Sequence, residues 1–238
     1  MRCLGIDLAW SSNPSGLCCL ELTNGELTLC DLRRECSIEE IFAWIDQQAP
    51  DAAIVAVDAP TLIPNQTGMR LPDRLAHQHF GRYHAGCYPA NLGLPFADRT
   101  VAFGRSLAAR GFAHSPTIVA KQPGRYQIEV FPHPAMIHLF ELNRILKYKK
   151  GTIAQRQPEL EKLRRFILER LPQIEPRLNL KTLPDIPNKG TELKAIEDQL
   201  DSLICAYVAA YWWYWGTEKN LVLGDRASGY IVVPLPLV

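Results

Sequence analysis

The sequence lacks most of the signals that identify common classes of binding protein and enzyme. Its 26 Lys and Arg residues balance 25 Asp and Glu residues, so the formal net charge is only +1. Such a balance gives no overall field to attract nucleic acid or a membrane surface. The chain has no C-x-x-C pair, H-E-x-x-H, P-loop or G-x-G-x-x-G segment, which leaves zinc, Walker-type nucleotide and Rossmann sites without support. Any charged binding surface must therefore be local.

Signals for export and membrane insertion are lacking as well. The most apolar stretch, 202–216, is shorter than the roughly 20 residues that span a bilayer, and the first residues form no basic segment with a cleavage site. The seven cysteines are an odd number and lie mostly in apolar runs, where they resemble small core residues. We expect a soluble cytoplasmic protein with no membrane partner, whose oligomeric state the sequence leaves open.

What the sequence does contain is the pattern of a mixed α/β sheet, within a single domain over residues 1–238. Apolar runs at 2–10, 17–23 and 27–32 predict three antiparallel strands, the last two joined by Asn24-Gly25, a strong hairpin signal. Ser37 and Glu40 form a capping box that opens a helix. The uniformly apolar run 52–57 then predicts an interior strand beside the first one. The expected fold is three antiparallel strands followed by parallel strands, flanked by helices.

The region from about 60 to 125 interrupts this pattern. Prolines, glycines and scattered aromatic residues replace the periodicity, so we expect a long irregular insertion, and loops of this length are often functional. Between Asp98 and Glu129 every charged residue is basic, namely Arg99, Arg105, Arg110, Lys121 and Arg125. This set predicts either a solvated face or the positive rim of a binding site.

The C-terminal half continues with a strand at 126–132 and helices at about 135–143 and 158–170. A loop at 178–190 then leads to a long final helix that Thr191 can cap, and two short strands follow at 221–223 and 230–233.

Five carboxylates occupy unusual places in these elements: Asp7, Asp58, Glu129, Asp198 and Asp201. Three of them lie in or directly after buried strands, and two share a face of the final helix where its surroundings become apolar. Clustered carboxylates repel one another unless a cation holds them, and Mg²⁺ or Mn²⁺ prefers such oxygen ligands. Two such ions about 3.5–4 Å apart can hydrolyse a phosphodiester. A solvated helix face and a strand-end turn remain the simpler alternatives.

The order of these motifs resembles the ribonuclease-H-like superfamily, and more closely the family described as predicted RNase H-like nucleases (domain of unknown function 429). The matching stretches are Gly5-Ile6-Asp7, Val57-Asp58-Ala59-Pro60, Glu129-Val130-Phe131-Pro132, the segment 149–156 and Asp198 to Leu203. The resemblance implies a nuclease that acts on DNA or RNA.

The same resemblance implies roles for individual residues. Asp7, Asp201 and Glu129 would bind the Mg²⁺ or Mn²⁺, with Asp58 and Asp198 as further catalytic acids. Asp58 stands on a strand where superfamily nucleases often have Glu. Lys149 and Arg156, with Lys121 and Arg125 from the basic stretch, would bind the substrate.

Other functions fit parts of the sequence. Asp7 with Ser11 and Ser12 would suit a phosphotransferase or ATPase of the actin and sugar-kinase type, although the chain lacks the second copy of the unit that such proteins contain. A catalytically inactive binding module would instead pair its acids with Lys149, Arg156 and Lys194. Among the histidines, only His133 beside Glu129 suggests catalysis, and it lies near no nucleophile motif.

Overall fold

The structure is a computed structural model that describes residues 1–11 and 13–237. Ser12, one of the two serines considered above for phosphate binding, lies outside the described residues. Within residues 1–11 and 13–237, no helix combines the length and the apolar composition needed to cross a membrane.

The N-terminal part folds as the sequence predicts. Its elements are β1 (Arg2–Asp7), β2 (Ser15–Thr23), β3 (Glu26–Glu35), α1 (Ile38–Gln48) and β4 (Ala53–Val57). Asn24 and Gly25 both have positive φ angles, of 52° and 83°, which the tight turn of a two-residue hairpin requires. Ser37 and Glu40 form the expected capping box at the start of α1.

The middle region contains more regular structure than the irregular segment expected there. It holds α2 (Leu71–Phe80), α3 (Ala97–Ala109) and β5 (Ala113–His114), and β6 (Arg125–Glu129) follows. The helices were hard to detect because their buried faces use small or polar residues, such as Ala76, Ala97 and Gly104. Few large apolar side chains therefore mark the helical period.

The C-terminal part contains α4 (Pro132–Leu139), α5 (Ile153–Arg170), β7 (Arg177–Leu178), α6 (Gly190–Trp215), β8 (Asn220–Asp225) and β9 (Gly229–Pro234). Helix α4 begins earlier than expected, with Pro132 in its first turn, where its missing N–H costs little. Helix α5 also begins earlier, at a capping box of Thr152 and Gln155, and contains Pro158.

The main sheet has seven strands in the order β5-β6-β4-β1-β2-β3-β7. Strands β1, β2 and β3 are antiparallel, whereas β4 and β6 run parallel to β1. One hydrophobic core joins the sheet to α4, α5 and α6, and a second joins its other face to α1 and α3. The predicted mixed sheet flanked by helices is confirmed. Its parallel strands bring the carboxyl ends of β1, β4 and β6 to one edge.

Two glycines let α6 lie directly against the sheet. A Cβ atom at Gly5 would lie 2.0 Å from the carbonyl oxygen of Ser202, and one at Gly16 would lie 1.9 Å from that of Asp198. No side chain fits in these gaps, so the helix backbone touches β1 and β2. This contact fixes the acids of α6 beside the carboxyl end of β1.

Candidate functional site

A cavity of about 620 Å³ opens where β1, β4 and β6 end. Its volume lies within the roughly 300–1,000 Å³ that is typical of small-molecule sites. Asp7, Asp58 and Glu129 all line it. The N–H of Asp58 donates to the carbonyl of Ile6 at 2.8 Å, which places Asp58 beside Asp7 at the strand ends.

Asp201 of α6 completes a cluster with these two strand-end acids and Lys149. The Asp201 carboxylate is fully buried, and its Oδ2 lies 2.8 Å from the Nζ atom of Lys149. The buried Tyr148 hydroxyl donates to Oδ1 of the same carboxylate at 2.6 Å. Consecutive residues of the connection between α4 and α5 therefore hold both oxygens. We call Asp7, Asp58, Asp201 and Lys149 the acid cluster.

The acid cluster has three carboxyl groups and one ammonium. Burial raises the pKa of Asp7 well above its usual range, and Asp201 and Asp58 raise it further, against the opposing effect of Lys149. Burial likewise raises the pKa of Asp58 to about 7. Burial alone would lower the pKa of Lys149, but the carboxylates of Asp201, Asp7 and Asp58 raise it well above its usual value. Lys149, with Lys194 also acting on Asp58, does not offset the burial and mutual repulsion of these acids, so a further cation would be favourable.

Glu129 lies in a separate ion-pair network. The guanidinium of Arg70 donates to its two carboxylate oxygens at 2.8 and 2.6 Å, and also to Asp73. Burial raises the pKa of Glu129 to about 7, and Arg70 opposes that shift. The strand period explains the separation. Ile128 packs in the core on the α6 side of the sheet, so its neighbour Glu129 points to the opposite side.

Asp198 is near enough to Asp7 to help raise the pKa of that acid, but its own carboxylate is paired outside the acid cluster. It forms ion pairs with Arg34 at 2.7 Å and with Lys194 at 2.6 Å. Arg156, expected to bind substrate, donates to the buried Glu197 at 3.0 Å and to the carbonyl of Tyr148 at 2.7 Å. Its contacts tie α5 to α6 and hold the peptide next to Lys149.

Arg125 and Lys121 do not lie beside the acid cluster. Arg125 is the first residue of β6, at the end of the strand opposite to Glu129. Its guanidinium donates to the carbonyls of Ala49 and Asp51. The ammonium of Lys121 lies 3.9 Å from the centre of the Tyr214 ring, near the C-terminal end of α6.

The positive side of the cavity comes from Lys149, which the sequence predicts to bind substrate, and from its neighbours Lys147 and Lys150, for which no role was predicted. Lys147, Lys149 and Lys150 all line the cavity. His133 lines it too, and burial lowers its pKa to about 4, so its ring is neutral at pH 7. The sequence gives no sign of the role of Tyr148, because its buried hydroxyl is recognised as part of the site only from its hydrogen bond to Asp201.

The side chains of the acid cluster can be examined for their fit to a divalent metal ion. Within the described part of the chain, no group of three or more His, Cys, Asp or Glu side chains is arranged to hold a metal ion. The donor chemistry nevertheless fits, because Asp7, Asp58 and Asp201 offer the hard oxygen atoms that Mg²⁺ and Mn²⁺ prefer. Asp201 Oδ2 is buried beside Lys149 without an aligned hydrogen bond. Metal binding would require the Lys149 ammonium to move away.

Comparisons with known proteins identify a family. Residues 5–226 match the model of the family described as "Protein of unknown function (DUF429)". Among curated proteins, none matches the sequence. The solved structure of RuvC from Thermus thermophilus is similar over 88% of this chain and 98% of its own, with 12% identity and a TM-score of 0.38. A likeness at this TM-score supports no inference about activity.

Proposed function

From the premise that the chain belongs to the DUF429 family, we propose that the acid cluster is the active site of a nuclease that depends on Mg²⁺ or Mn²⁺. One observation carries the proposal. Three aspartates from β1, the end of β4 and α6 surround the Lys149 ammonium, and Asp7, Asp58 and Lys149 line a cavity large enough for a ligand. Buried carboxylates with too few cations attract a metal. The ribonuclease-H-like resemblance of the sequence motifs supports the same chemistry.

In this nuclease, the residues of the site would have separate roles. Asp7, Asp58 and Asp201 would hold the cation, which supplies activation of a water molecule and stabilisation of the leaving oxygen. Tyr148 donates to Asp201 Oδ1 and so fixes the orientation of that carboxylate. Lys149, once displaced from Asp201, would pair with a phosphate oxygen of the substrate. Lys147 and Lys150 would hold the flanking phosphates.

The test is cleavage of an end-labelled oligonucleotide with Mn²⁺ and with EDTA. We expect Mn²⁺-dependent cleavage by the wild type and at least a hundredfold slower cleavage by Asp7→Asn and Asp201→Asn, since loss of a group acting directly on reacting atoms typically costs about that factor or more. Glu192→Gln is the matched control, because it changes an exposed acid of the same helix that pairs with Lys189. Equal losses in all three variants would contradict the assignment.

The ion pairs favour a second candidate, a catalytically inactive binding module. Lys149 pairs with Asp201, Lys194 with Asp198 and Arg156 with Glu197, as that alternative expects. Asp201→Asn should destabilise the metal-free protein under either function, because it leaves Lys149 unpaired, so the response to Mn²⁺ separates the two: for an inactive module, Mn²⁺ should not change the thermal midpoint. A metal site gives the opposite response, since a ligand that binds the folded state raises the midpoint with its concentration.

A further inference from the structure

The mouth of the cavity contains an unusual concentration of exposed aromatic surface. Four large hydrophobic side chains are exposed in the described part of the chain, and two of them, Trp10 and Tyr88, line this cavity with exposed fractions of 42% and 69%. Exposed aromatic side chains at a concave site are typical of ligand recognition rather than of folding.

Both rings are supported from behind or from the side. Trp10 packs on Phe96 with their ring centroids 4.2 Å apart, and 42% of its surface remains exposed. The hydroxyl of Tyr88 lies 3.3 Å from the ammonium of Lys150. An accessible aromatic face next to a cation provides the two contacts that a nucleotide offers, because its base stacks and its phosphate binds the positive charge.

The size and lining of the cavity also restrict the ligand. Its 620 Å³ suits one nucleotide, and apolar side chains such as Leu146 and Ile231 form part of its wall. A base within a duplex is stacked on its neighbours, so its faces cannot contact such a wall. An unpaired base can turn out of the strand and place its faces against these side chains.

We propose that Trp10 and Tyr88 form a base-binding subsite, and that the substrate is single-stranded nucleic acid with one unpaired base inserted beside the acid cluster. This inference rests on the proposed nuclease function, which it narrows to a substrate class. The lysines at positions 147 and 150 lie on the cavity wall and bind the phosphates that flank the inserted base.

The test measures binding in EDTA, so that it needs neither metal nor cleavage. The probes are fluorescein-labelled single-stranded DNA and RNA decanucleotides, the corresponding DNA duplex, and free AMP as a competitor. We expect single strands to bind more tightly than the duplex. Trp10→Ala and Tyr88→Ala should each weaken single-strand binding about tenfold, within the range measured for stacking on one aromatic side chain.

Matched variants separate stacking from folding. Trp10→Phe and Tyr88→Phe keep a ring and should keep most of the affinity. Val119→Ala removes an exposed hydrophobic side chain that does not line the cavity and should leave binding unchanged. The expected pattern of losses supports the subsite even if Mn²⁺ induces no cleavage, which would reject only the nuclease function.

Several results would overturn the inference. They are equal affinity for duplex and single strand, competition by AMP at the oligonucleotide's own affinity, no binding of any probe, or alanine variants that bind like the wild type. Mn²⁺-dependent cleavage that persists at the wild-type rate in both alanine variants would also reject the subsite, while leaving the nuclease function intact.

Discussion

Replacing Lys149 by Met tests how the acid cluster is neutralised. The substitution keeps the length of the side chain and removes the ammonium 2.8 Å from Asp201. Breaking a fully buried ion pair costs about 3–5 kcal/mol. The Lys149 side chain is 33% exposed, so water screens part of this interaction, and we expect a loss of about 1–3 kcal/mol without metal. For a chain of this length, that loss lowers the thermal midpoint by roughly 2–12 °C.

The response to Mn²⁺ should change in the opposite direction. In the wild type, the cation must displace the ammonium from Asp201, whereas Lys149→Met removes this competitor. If displacing the Lys149 ammonium costs about 1.4 kcal/mol of the binding free energy of Mn²⁺, its removal raises the affinity for Mn²⁺ tenfold. The variant should then respond at about tenfold lower Mn²⁺ concentration. At an Mn²⁺ concentration of 100 times Kd, the stabilisation is about 2.7 kcal/mol, which can restore the lost midpoint.

The assay is thermal unfolding of the wild type and Lys149→Met over a series of Mn²⁺ concentrations, started from EDTA-treated protein. Lys189→Met is the control, because Lys189 is exposed and pairs with Glu192 at 3.4 Å, an interaction expected to contribute less than about 1 kcal/mol. The reasoning is refuted if Lys149→Met and the wild type show the same Mn²⁺ response. A response only in Lys149→Met would mean that the native lysine excludes the metal.

Three further predictions concern the groups around the site. The pKa of Asp58 is about 7 in the folded chain and near 3.9 when unfolded, so ionising Asp58 lowers stability as the pH rises from about 4 to about 7. Asp58→Asn should therefore gain on the order of 2–4 kcal/mol over the wild type between these pH values in EDTA, measured by urea unfolding; parallel pH profiles would argue against it. Gly5→Ala should cost about 3 kcal/mol or more, because its Cβ would overlap the backbone of α6, whereas Gly81→Ala, with open space around it, should be nearly neutral in the same urea assay. Arg70→Met should cost about 3–5 kcal/mol by leaving the buried Glu129 and Asp73 uncompensated, and a loss no larger than that of Arg74→Met, one helix position beyond Asp73, would show that the network does not stabilise the fold.

Local signals explain why much of the sheet could be predicted from the sequence. Asn24-Gly25 fixes a hairpin and Ser37 with Glu40 fixes a helix start, because each acts within four residues. Asp7 and Asp58 were recognised as unusual because they lie in or directly after buried apolar strands, and in the structure these strands are parallel neighbours. The acid on α6 was identified by its position before an apolar face, which packs on the sheet in the structure.

The side chains that complete the site depend on long-range packing. Lys149 lies 52 residues before Asp201, and their contact follows from how the connection between α4 and α5 crosses the sheet edge. No local pattern determines that path. The distance of Arg125 from the site could have been inferred, since four residues of strand place it about 13 Å from Glu129. The separation of Glu129 from the acid cluster was harder to predict. Strand alternation places Glu129 and Ile128 on opposite faces of the sheet, but the sequence does not show which face α6 covers.

The backbone contacts at Gly5 and Gly16 hold the acids of the site more rigidly than its lysine, and this difference affects how the site can evolve. The acids stand on elements that touch without intervening side chains, so a lineage can scarcely shift Asp7 relative to Asp201 without losing the fold. Lys149 belongs to a connecting loop that is anchored by the side chains of Tyr148 and Arg156 rather than by backbone contact with the sheet, and loops vary more than the elements that they connect. A descendant can thus exchange its positive charge, or lengthen the loop that carries it, while inheriting the carboxylates unchanged. New substrate preferences would arise first in that loop.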